Sequence, residues 1–271
     1  MSRRILHADD GTALPVEVHG RGTPVLVLHG WTSRPEDWQG LLRRDHGSIA
    51  WYAWRARPHA GPEPTVERMA RDLHQVLERL HLDRPTVIGH SMGALVLWEY
   101  IAHHGSQALG RICIIDQSPR ILTDAHWQLG LYGDFDADAN RRFIAELERD
   151  FAGTVMELVD RGRPASWLFK GRADPWMAAR RAYLESLEPE PWIRAWESLS
   201  VKDYRDVLGR IHVPSMLVYG GEARLYPTAT AHYVRSHITA ARLSIYEGTG
   251  HSPHLERLER FLAELKAFIG I

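Results

Sequence analysis

A serine flanked by two glycines, Gly89-His90-Ser91-Met92-Gly93, lies between an apolar run and an amphipathic segment. The run before it, residues 85–89, predicts a buried strand, and residues 93–103 predict a helix. The glycines allow strand and helix to approach closely, and the sharp turn exposes the serine hydroxyl. The helix also directs its positive N-terminal end at any negative charge that develops beside the serine. Ser91 is therefore the candidate nucleophile.

The rest of the chain alternates between short apolar runs and helical patterns. Predicted strands lie at residues 12–18 (as an edge strand), 24–28, 49–54, 85–89, 111–116, 215–221 and 241–246. The clearest further helical patterns lie at residues 66–80 and 255–269. This alternation predicts the α/β class, with a mostly parallel sheet flanked by helices.

The pattern changes between residues 119 and 204. Strand-like runs give way to helical patterns rich in aromatic residues, at 141–160, 176–187 and 193–199, with prolines between them. We therefore predict that residues 119–204 form a helical cap inserted into a core. That core would comprise residues 1–118 and 205–271.

Composition excludes several classes of protein. Because 33 basic residues balance 34 acidic ones, nucleic acid is not expected as a partner. The single cysteine, Cys113, allows neither an internal disulfide nor a C-x-x-C motif, and we expect no metal or cofactor. Asp9 and Asp10 interrupt any signal-peptide stretch, and no uncharged run reaches the roughly 18 residues of a membrane helix. We expect a soluble, cytoplasmic protein with no membrane partner, whereas oligomeric state is unknown.

A serine nucleophile needs a base, and a histidine titrates in the appropriate range. Among sixteen histidines, His251 follows the last predicted strand and precedes the last helix. Its loop should therefore lie at the carboxyl edge of the sheet with Ser91. His254 is an alternative, but it lies nearer the closing helix and is interpreted as structural. We interpret His29 as a structural hydrogen-bonding residue at a strand end.

Taken together, these motifs resemble the α/β-hydrolase superfamily, in its serine-esterase-like branch with an H-G-W loop and a helical cap. The resemblance rests on His29-Gly30-Trp31, the turn around Ser91, the predicted cap, and residues 250–256. It covers nearly the full chain in the family's order. It implies that the backbone amides of Trp31 and Met92 form an oxyanion hole.

The acid of the catalytic triad departs from the family pattern. Relatives place an aspartate in a G-x-x-D run after the cap, where this chain has Ala223. Two carboxylates could replace it. Glu222 lies one position earlier, and Asp116 ends the strand after the turn, a position that some hydrolase branches use. Asp116 is the preferred candidate and Glu222 remains the alternative.

A serine at the turn argues against chemistry that needs a carboxylate nucleophile, as in haloalkane dehalogenases. The expected reaction is hydrolysis of a carboxylic ester, or a related acyl compound, through an acyl-serine intermediate. Thioester, amide and carbon–carbon bond hydrolysis and perhydrolysis use the same residues and remain open. Alternatives on the same fold are a non-hydrolytic ligand-binding protein and a cofactor-free lyase or oxygenase.

Aromatic residues of the predicted cap carry the substrate prediction. They are Trp127, Tyr132, Phe135, Phe143, Phe151, Trp167, Trp176, Trp192 and Trp196. Some or all of them could instead form the cap's own core. If they line a lid over Ser91, the substrate is a small molecule with an apolar or aromatic acyl group.

Overall fold

The computed structural model describes residues 2–45, 47–59, 61–164 and 175–271. Within these ranges the strands are β1 (Ser2–His7), β2 (Ala13–Gly20), β3 (Thr23–Leu28), β4 (Ile49–Trp54), β5 (Thr86–His90), β6 (Arg111–Ile115), β7 (Ser215–Gly220) and β8 (Ala241–Tyr246). They form one sheet in the order β1-β2-β4-β3-β5-β6-β7-β8. Adjacent strands in the series β4-β3-β5-β6-β7-β8 run parallel. β2 runs antiparallel to both of its neighbours, β1 and β4. The predicted fold class is confirmed.

The central strands are buried on both faces, which explains their almost continuous apolar sequences. In β3, Val25 and Val27 face one layer of the core, whereas Leu26 and Leu28 face the other. This alternation follows from the two-residue period of a strand. A parallel sheet of this kind needs helices on both faces, and the chain supplies them.

The helices of the described ranges are α1 (Gln39–Leu42), α2 (Val66–Leu80), α3 (Met92–His104), α4 (Ala137–Arg149), α5 (Phe151–Gly162), α6 (Pro175–Glu185), α7 (Pro189–Ser200), α8 (Arg205–Leu208), α9 (Thr228–His237), α10 (Pro253–Glu256) and α11 (Leu258–Ile269). Buried residues of α2, α3 and α9 belong to the larger core layer. Those of α1 and α11 belong to the smaller layer. Among these helices, none combines the length and apolar character needed to cross a bilayer.

Two of the sequence expectations are wrong in detail. Residues 12–18 were expected at the sheet edge, but β2 pairs with both β1 and β4. The edge is β1, where five of six residues are exposed, so its sequence carries no alternation of buried and exposed positions. The continuous helical pattern at 141–160 is two helices. They meet at Asp150, whose backbone is non-helical (φ −148°, ψ 82°) and whose carboxylate caps α5 by accepting the Gly153 N–H.

The helical segment α4–α7 leaves and rejoins the sheet-bearing part of the chain at neighbouring points. The Tyr204 N–H donates to the Pro119 carbonyl at 2.9 Å, and Arg120 forms an isolated antiparallel bridge with Asp203. These contacts bring the two ends of the segment together. The division into core and cap at residues 119–204 stays a prediction.

Gly93 tests the close packing of α3 on the sheet. A Cβ atom on Gly93 would lie 2.2 Å from the Leu28 carbonyl oxygen, whereas one on Gly209 would have no neighbour within 4 Å. We expect Gly93→Ala to lower the free energy of unfolding by about 1–3 kcal/mol or more. Gly209→Ala is the matched control and should change it by less than about 1 kcal/mol. Equal urea midpoints for the two variants would contradict this packing.

Candidate active site

The turn between β5 and α3 holds Ser91 in an unusual backbone conformation, with φ 52° and ψ −120°. Such conformations cost about 1–3 kcal/mol and persist only when the surrounding packing imposes them. Here the Ser91 N–H donates to the Ile115 carbonyl at 3.2 Å. Gly89 and Gly93 have no Cβ atoms. A side chain at Gly89 would collide with α3, and one at Gly93 would collide with β3. The expected order of strand, sharp turn and helix is present, whereas the role of Ser91 as nucleophile stays a prediction.

The loop after β3 lies directly against this turn. A Cβ atom on Gly30 would lie 3.3 Å from the Ser91 Cβ atom, so a larger residue would push the loop away. The next residues in the two segments are Trp31 and Met92. Within the described ranges, no hydrogen-bond acceptor engages either backbone amide. Two uncommitted N–H donors beside a serine suit the binding of an oxyanion.

The Trp31 side chain points away from the turn and into the helical segment. Its indole N–H donates to the Trp192 carbonyl at 2.8 Å. Its ring packs against Trp196, Phe151 and Phe143 with centroid distances of 4.9, 6.2 and 6.4 Å. This anchorage holds the backbone of the loop beside Ser91.

His251 and Asp116 approach each other across the sheet edge. His251 Nδ1 lies 3.7 Å from Asp116 Oδ2, which is an ion-pair distance but longer than a hydrogen bond. Among the residues described, Nδ1 has no hydrogen-bond partner. Catalytic hydrogen bonds are often long in the absence of substrate. This pairing leaves Nε2 as the His251 ring nitrogen available to Ser91. Ser91 and His251 line the same cavity.

Asp116 is almost completely buried at the end of β6. Its backbone has φ 44°, a left-handed conformation that aspartate tolerates better than most residues. The carboxylate accepts the Gly220 N–H at 3.4 Å. Burial and the nearby Asp116 charge raise the pKa of Tyr219 and Tyr226, so both hydroxyls stay neutral. Those hydroxyls donate to Gln117 rather than to Asp116.

Glu222, the alternative acid, lies on the loop after β7. Its backbone N–H donates to the Thr249 carbonyl at 2.8 Å. Among the carboxylates that the structure describes, Asp116 is the one within 4 Å of the His251 ring. The geometry therefore favours Asp116 over Glu222, although the catalytic role of either residue is a proposal.

Two other histidines, His254 and His90, pack against His251 or its loop. His254 is fully buried against Trp38, and burial lowers its pKa well below the usual value. His90 donates from Nε2 to the His251 carbonyl at 2.9 Å, and burial, followed by His251, lowers its pKa to about 3. Both imidazoles are therefore neutral near pH 7. The structural role expected of His254 stays a prediction.

A cavity of about 880 Å³ contains the candidate residues. Ser91, Met92 and His251 line it, together with Trp31 from the loop after β3. Much of the remaining lining is apolar and includes Leu95, Ile121, Leu131, Val155, Leu158, Val159, Leu199 and Leu225. The described parts of the chain contain no group of three or more side chains placed to hold a metal ion.

The aromatic residues of the cap divide between two roles. Trp176 and Trp196 line the cavity, and Trp196 is also buried in the core, whereas the role of this segment as a lid stays a prediction. Trp127, Phe135, Phe151 and Trp192 are buried, and Tyr132 and Phe143 are partly buried against the same core. The alternative that the cap needs its own core therefore applies to most of them. Trp167 lies outside the described residues.

One contact at this site has no signal in the sequence. The His251 N–H donates to the Gly162 carbonyl at 2.6 Å, so the end of α5 fixes the loop that carries the histidine. Gly162 and Gly250 both lack a side chain at this crossing, where a Cβ atom on Gly250 would lie 2.2 Å from the Gly162 oxygen. Neither glycine belongs to a motif that predicts such a contact.

Known proteins resemble this chain over most of its length. Curated relatives include the non-heme chloroperoxidase CPO-A1 of Kitasatospora aureofaciens, 26% identical over 89% of this chain and 90% of its own. Another is the pimeloyl-[acyl-carrier protein] methyl ester esterase of Vibrio vulnificus (strain YJ016), 25% identical over 96% of this chain and 99% of its own. Among solved structures, the esterase EaEST from Exiguobacterium antarcticum has a TM-score of 0.87 and 21% identity, with full coverage of both chains.

A family profile gives the assignment. The profile described as the alpha/beta hydrolase family matches residues 25–264, which include every candidate catalytic residue. The sheet order, the turn at Ser91 and the structural neighbours agree with that match. The chain belongs to the alpha/beta hydrolase family.

Proposed function

We propose that this hydrolase cleaves a carboxylic ester, or a related acyl compound, through an acyl-serine intermediate. The observation that carries the proposal is the convergence of Ser91, His251 and two uncommitted backbone amides on one cavity. Asp116 beside His251 completes a Ser-His-Asp set. The esterase names among the relatives are consistent with this reaction.

In the proposed acylation step, Ser91 Oγ attacks the ester carbonyl carbon while His251 Nε2 takes the hydroxyl proton. The carbonyl oxygen becomes an oxyanion, which the Trp31 and Met92 amides stabilise. Collapse of the tetrahedral intermediate breaks the ester C–O bond, and His251 returns the proton to the departing alcohol. Water then repeats the sequence on the acyl-enzyme and releases the acid. Asp116 stabilises the imidazolium that forms in both halves.

His29 supports one of the proposed oxyanion donors. The Ala56 N–H donates to His29 Nε2 at 3.1 Å, so the proton of the neutral ring lies on Nδ1. Nδ1 donates to the Gly30 carbonyl at 2.9 Å. That carbonyl and the Trp31 N–H belong to the same planar peptide group. His29 therefore orients the peptide whose other end is the proposed donor.

The cavity supports an apolar acyl chain next to the reacting carbonyl. Leucine, isoleucine and valine side chains from α3, α5 and the segment after β6 line much of its wall. Trp176 and Trp196 add aromatic surface from the cap. We propose a small-molecule substrate with an apolar or aromatic portion beside the ester.

The reaction itself is tested with Ser91→Ala. We expect the wild-type protein to hydrolyse p-nitrophenyl esters and to be labelled once by an organophosphate, with loss of hydrolysis. Ser91→Ala should do neither, because the acyl-serine intermediate cannot form. Peptide mass spectrometry locates the label. Absence of both hydrolysis and labelling would favour a ligand-binding protein, and activity that survives in Ser91→Ala would favour a lyase or oxygenase.

The identity of the acid is tested by paired carboxamide substitutions. We expect Asp116→Asn to lower kcat for ester hydrolysis by roughly 10²–10⁴, since the amide cannot stabilise the imidazolium or hold its tautomer. Glu222→Gln should change kcat by less than about threefold if it serves no catalytic role. The reverse ranking would assign the acid to Glu222.

The orienting role of His29 predicts a separation of kinetic constants. Loss of an oxyanion donor lowers kcat about 10²–10³-fold. The His29→Phe variant keeps the Trp31 N–H but no longer holds its peptide group in place, so we expect kcat to fall by roughly tenfold. KM should change little, because the oxyanion forms after substrate binds. His126 is exposed, so the His126→Gln variant is the control and should leave kcat and KM unchanged. A rise in KM with unchanged kcat would contradict the assigned role.

A further inference from the structure

One wall of the cavity carries two arginines from separate parts of the chain. Arg34 follows the loop that contains Trp31, and Arg180 lies on α6. Both line the same cavity as Ser91. Their guanidinium carbons lie 4.0 and 5.3 Å from the centroid of the Tyr183 ring, so the two cations are neighbours. Adjacent like charges are unfavourable unless an anion compensates them.

Arg180 is the more buried of the two, with 12% of its side chain exposed. Burial lowers the pKa of its guanidinium, Asp37 and Tyr183 oppose that shift, and the charge of Arg34 adds to it. Arginine stays protonated in proteins, so the charged form is held here at a cost in free energy. Arg180 Nη2 donates a hydrogen bond to Thr32 Oγ1 at 2.7 Å.

The acidic residues on this wall compensate the two cations incompletely. Asp37 lies 3.6 Å from Arg34 Nε and 3.9 Å from Arg180 Nη1, beyond hydrogen-bond distance from both. Its carboxylate instead accepts the Ser33 hydroxyl and the Arg34 backbone N–H. The neighbouring Glu36 forms an ion pair with Arg55. Among the described carboxylates, Asp37 is therefore placed loosely beside both guanidinium groups, while Glu36, which also interacts with the charge of Arg34, is paired directly with Arg55.

Two buried donors at this wall have no partner. Within the described ranges, neither Arg34 Nε nor the Tyr183 hydroxyl makes a hydrogen bond. Burial raises the pKa of Tyr183 to about 12, so its hydroxyl is a neutral donor near pH 7. Buried polar groups are nearly always hydrogen-bonded. Arg34 and Tyr183 both line the cavity, so a small rotation of their side chains would turn these unused donors toward a ligand that accepts hydrogen bonds.

We propose that Arg34, Arg180 and Tyr183 form a carboxylate-binding subsite, so that the preferred substrate is an ester carrying a second, free carboxylate. This inference rests on the proposed ester hydrolysis and specifies its substrate class. Guanidinium groups match a carboxylate in geometry and charge, and the tyrosine hydroxyl adds a third donor. The apolar lining then accommodates the chain that joins the ester to the carboxylate.

The test compares methyl half-esters of linear dicarboxylic acids with the dimethyl esters of the same acids, over a series of chain lengths. Each pair has the same scissile bond and differs in the charge at the far end. We expect kcat/KM to favour the half-ester by about tenfold or more at the best length, because the anion compensates the buried arginines. No preference at any length would overturn the subsite.

Variants locate the preference on the wall. Arg180→Gln and Tyr183→Phe should each reduce the ratio of half-ester to dimethyl-ester kcat/KM by at least threefold. Arg181→Gln is the matched control, since Arg181 is half exposed beside Glu185 and should leave the ratio unchanged. An equal loss on both substrates in Arg180→Gln, with no effect in Tyr183→Phe, would show that Arg180 only fastens α6 to Thr32 and would overturn the subsite.

The two proposals fail in distinguishable ways. If Ser91 is labelled and both esters are hydrolysed equally, ester hydrolysis stands and the carboxylate subsite is wrong. If Ser91 is neither labelled nor required, the proposed function is wrong and the substrate class falls with it. Calorimetric titration with the dicarboxylate product gives a readout independent of turnover. We expect binding to the wild type that weakens at least tenfold in Arg180→Gln, and equal binding of the matched monocarboxylate would contradict the proposal.

Discussion

The close approach of α3 to the sheet is the constraint on which the rest of the site depends. At Gly93 a side chain would collide with the Leu28 carbonyl, and at Gly89 it would collide with Ala94. Because the helix begins so near the sheet, the chain must turn within one residue, and Ser91 adopts its strained conformation. The same geometry places the Met92 amide at the start of the helix and the Gly30 loop against the serine.

The sequence predicts this turn well because its determinants are local. Two glycines, a serine and the apolar runs beside them are sufficient to specify a strand, a tight turn and a helix. The parallel strands are predictable for a related reason, since burial on both faces leaves an apolar run. The exposed edge strand β1 and the helix boundary at Asp150 leave no such pattern. β1 is exposed and so needs no apolar alternation, and the boundary is set by the backbone turn and cap at Asp150, which interrupt no apolar period.

The position of the proposed triad acid depends on the fold and cannot be read from residue spacing in a motif. A G-x-x-D pattern specifies a position on the loop after β7, and Glu222 is the nearest carboxylate in that count. Proximity to His251 is instead decided by the sheet. β6 is paired with β5, so the residue after β6 ends beside the nucleophile strand, and the loop after β8 brings His251 Nδ1 to the Asp116 carboxylate. Asp116 has a positive φ at this strand end, and its carboxylate lies 3.7 Å from the His251 ring nitrogen.

The helical segment after β6 contacts two parts of the proposed catalytic machinery, the loop after β3 and the loop that carries His251. Trp192 accepts the indole N–H of Trp31, Gly162 accepts the backbone N–H of His251, and Arg180 donates to Thr32. The first and third contacts hold the loop that carries an oxyanion donor, and the second holds the general base. A displacement of the helices would therefore move the donor and the base together with the cavity wall. Substrate selection and catalytic geometry therefore depend on the same three contacts. A substitution that breaks one of these contacts should affect both.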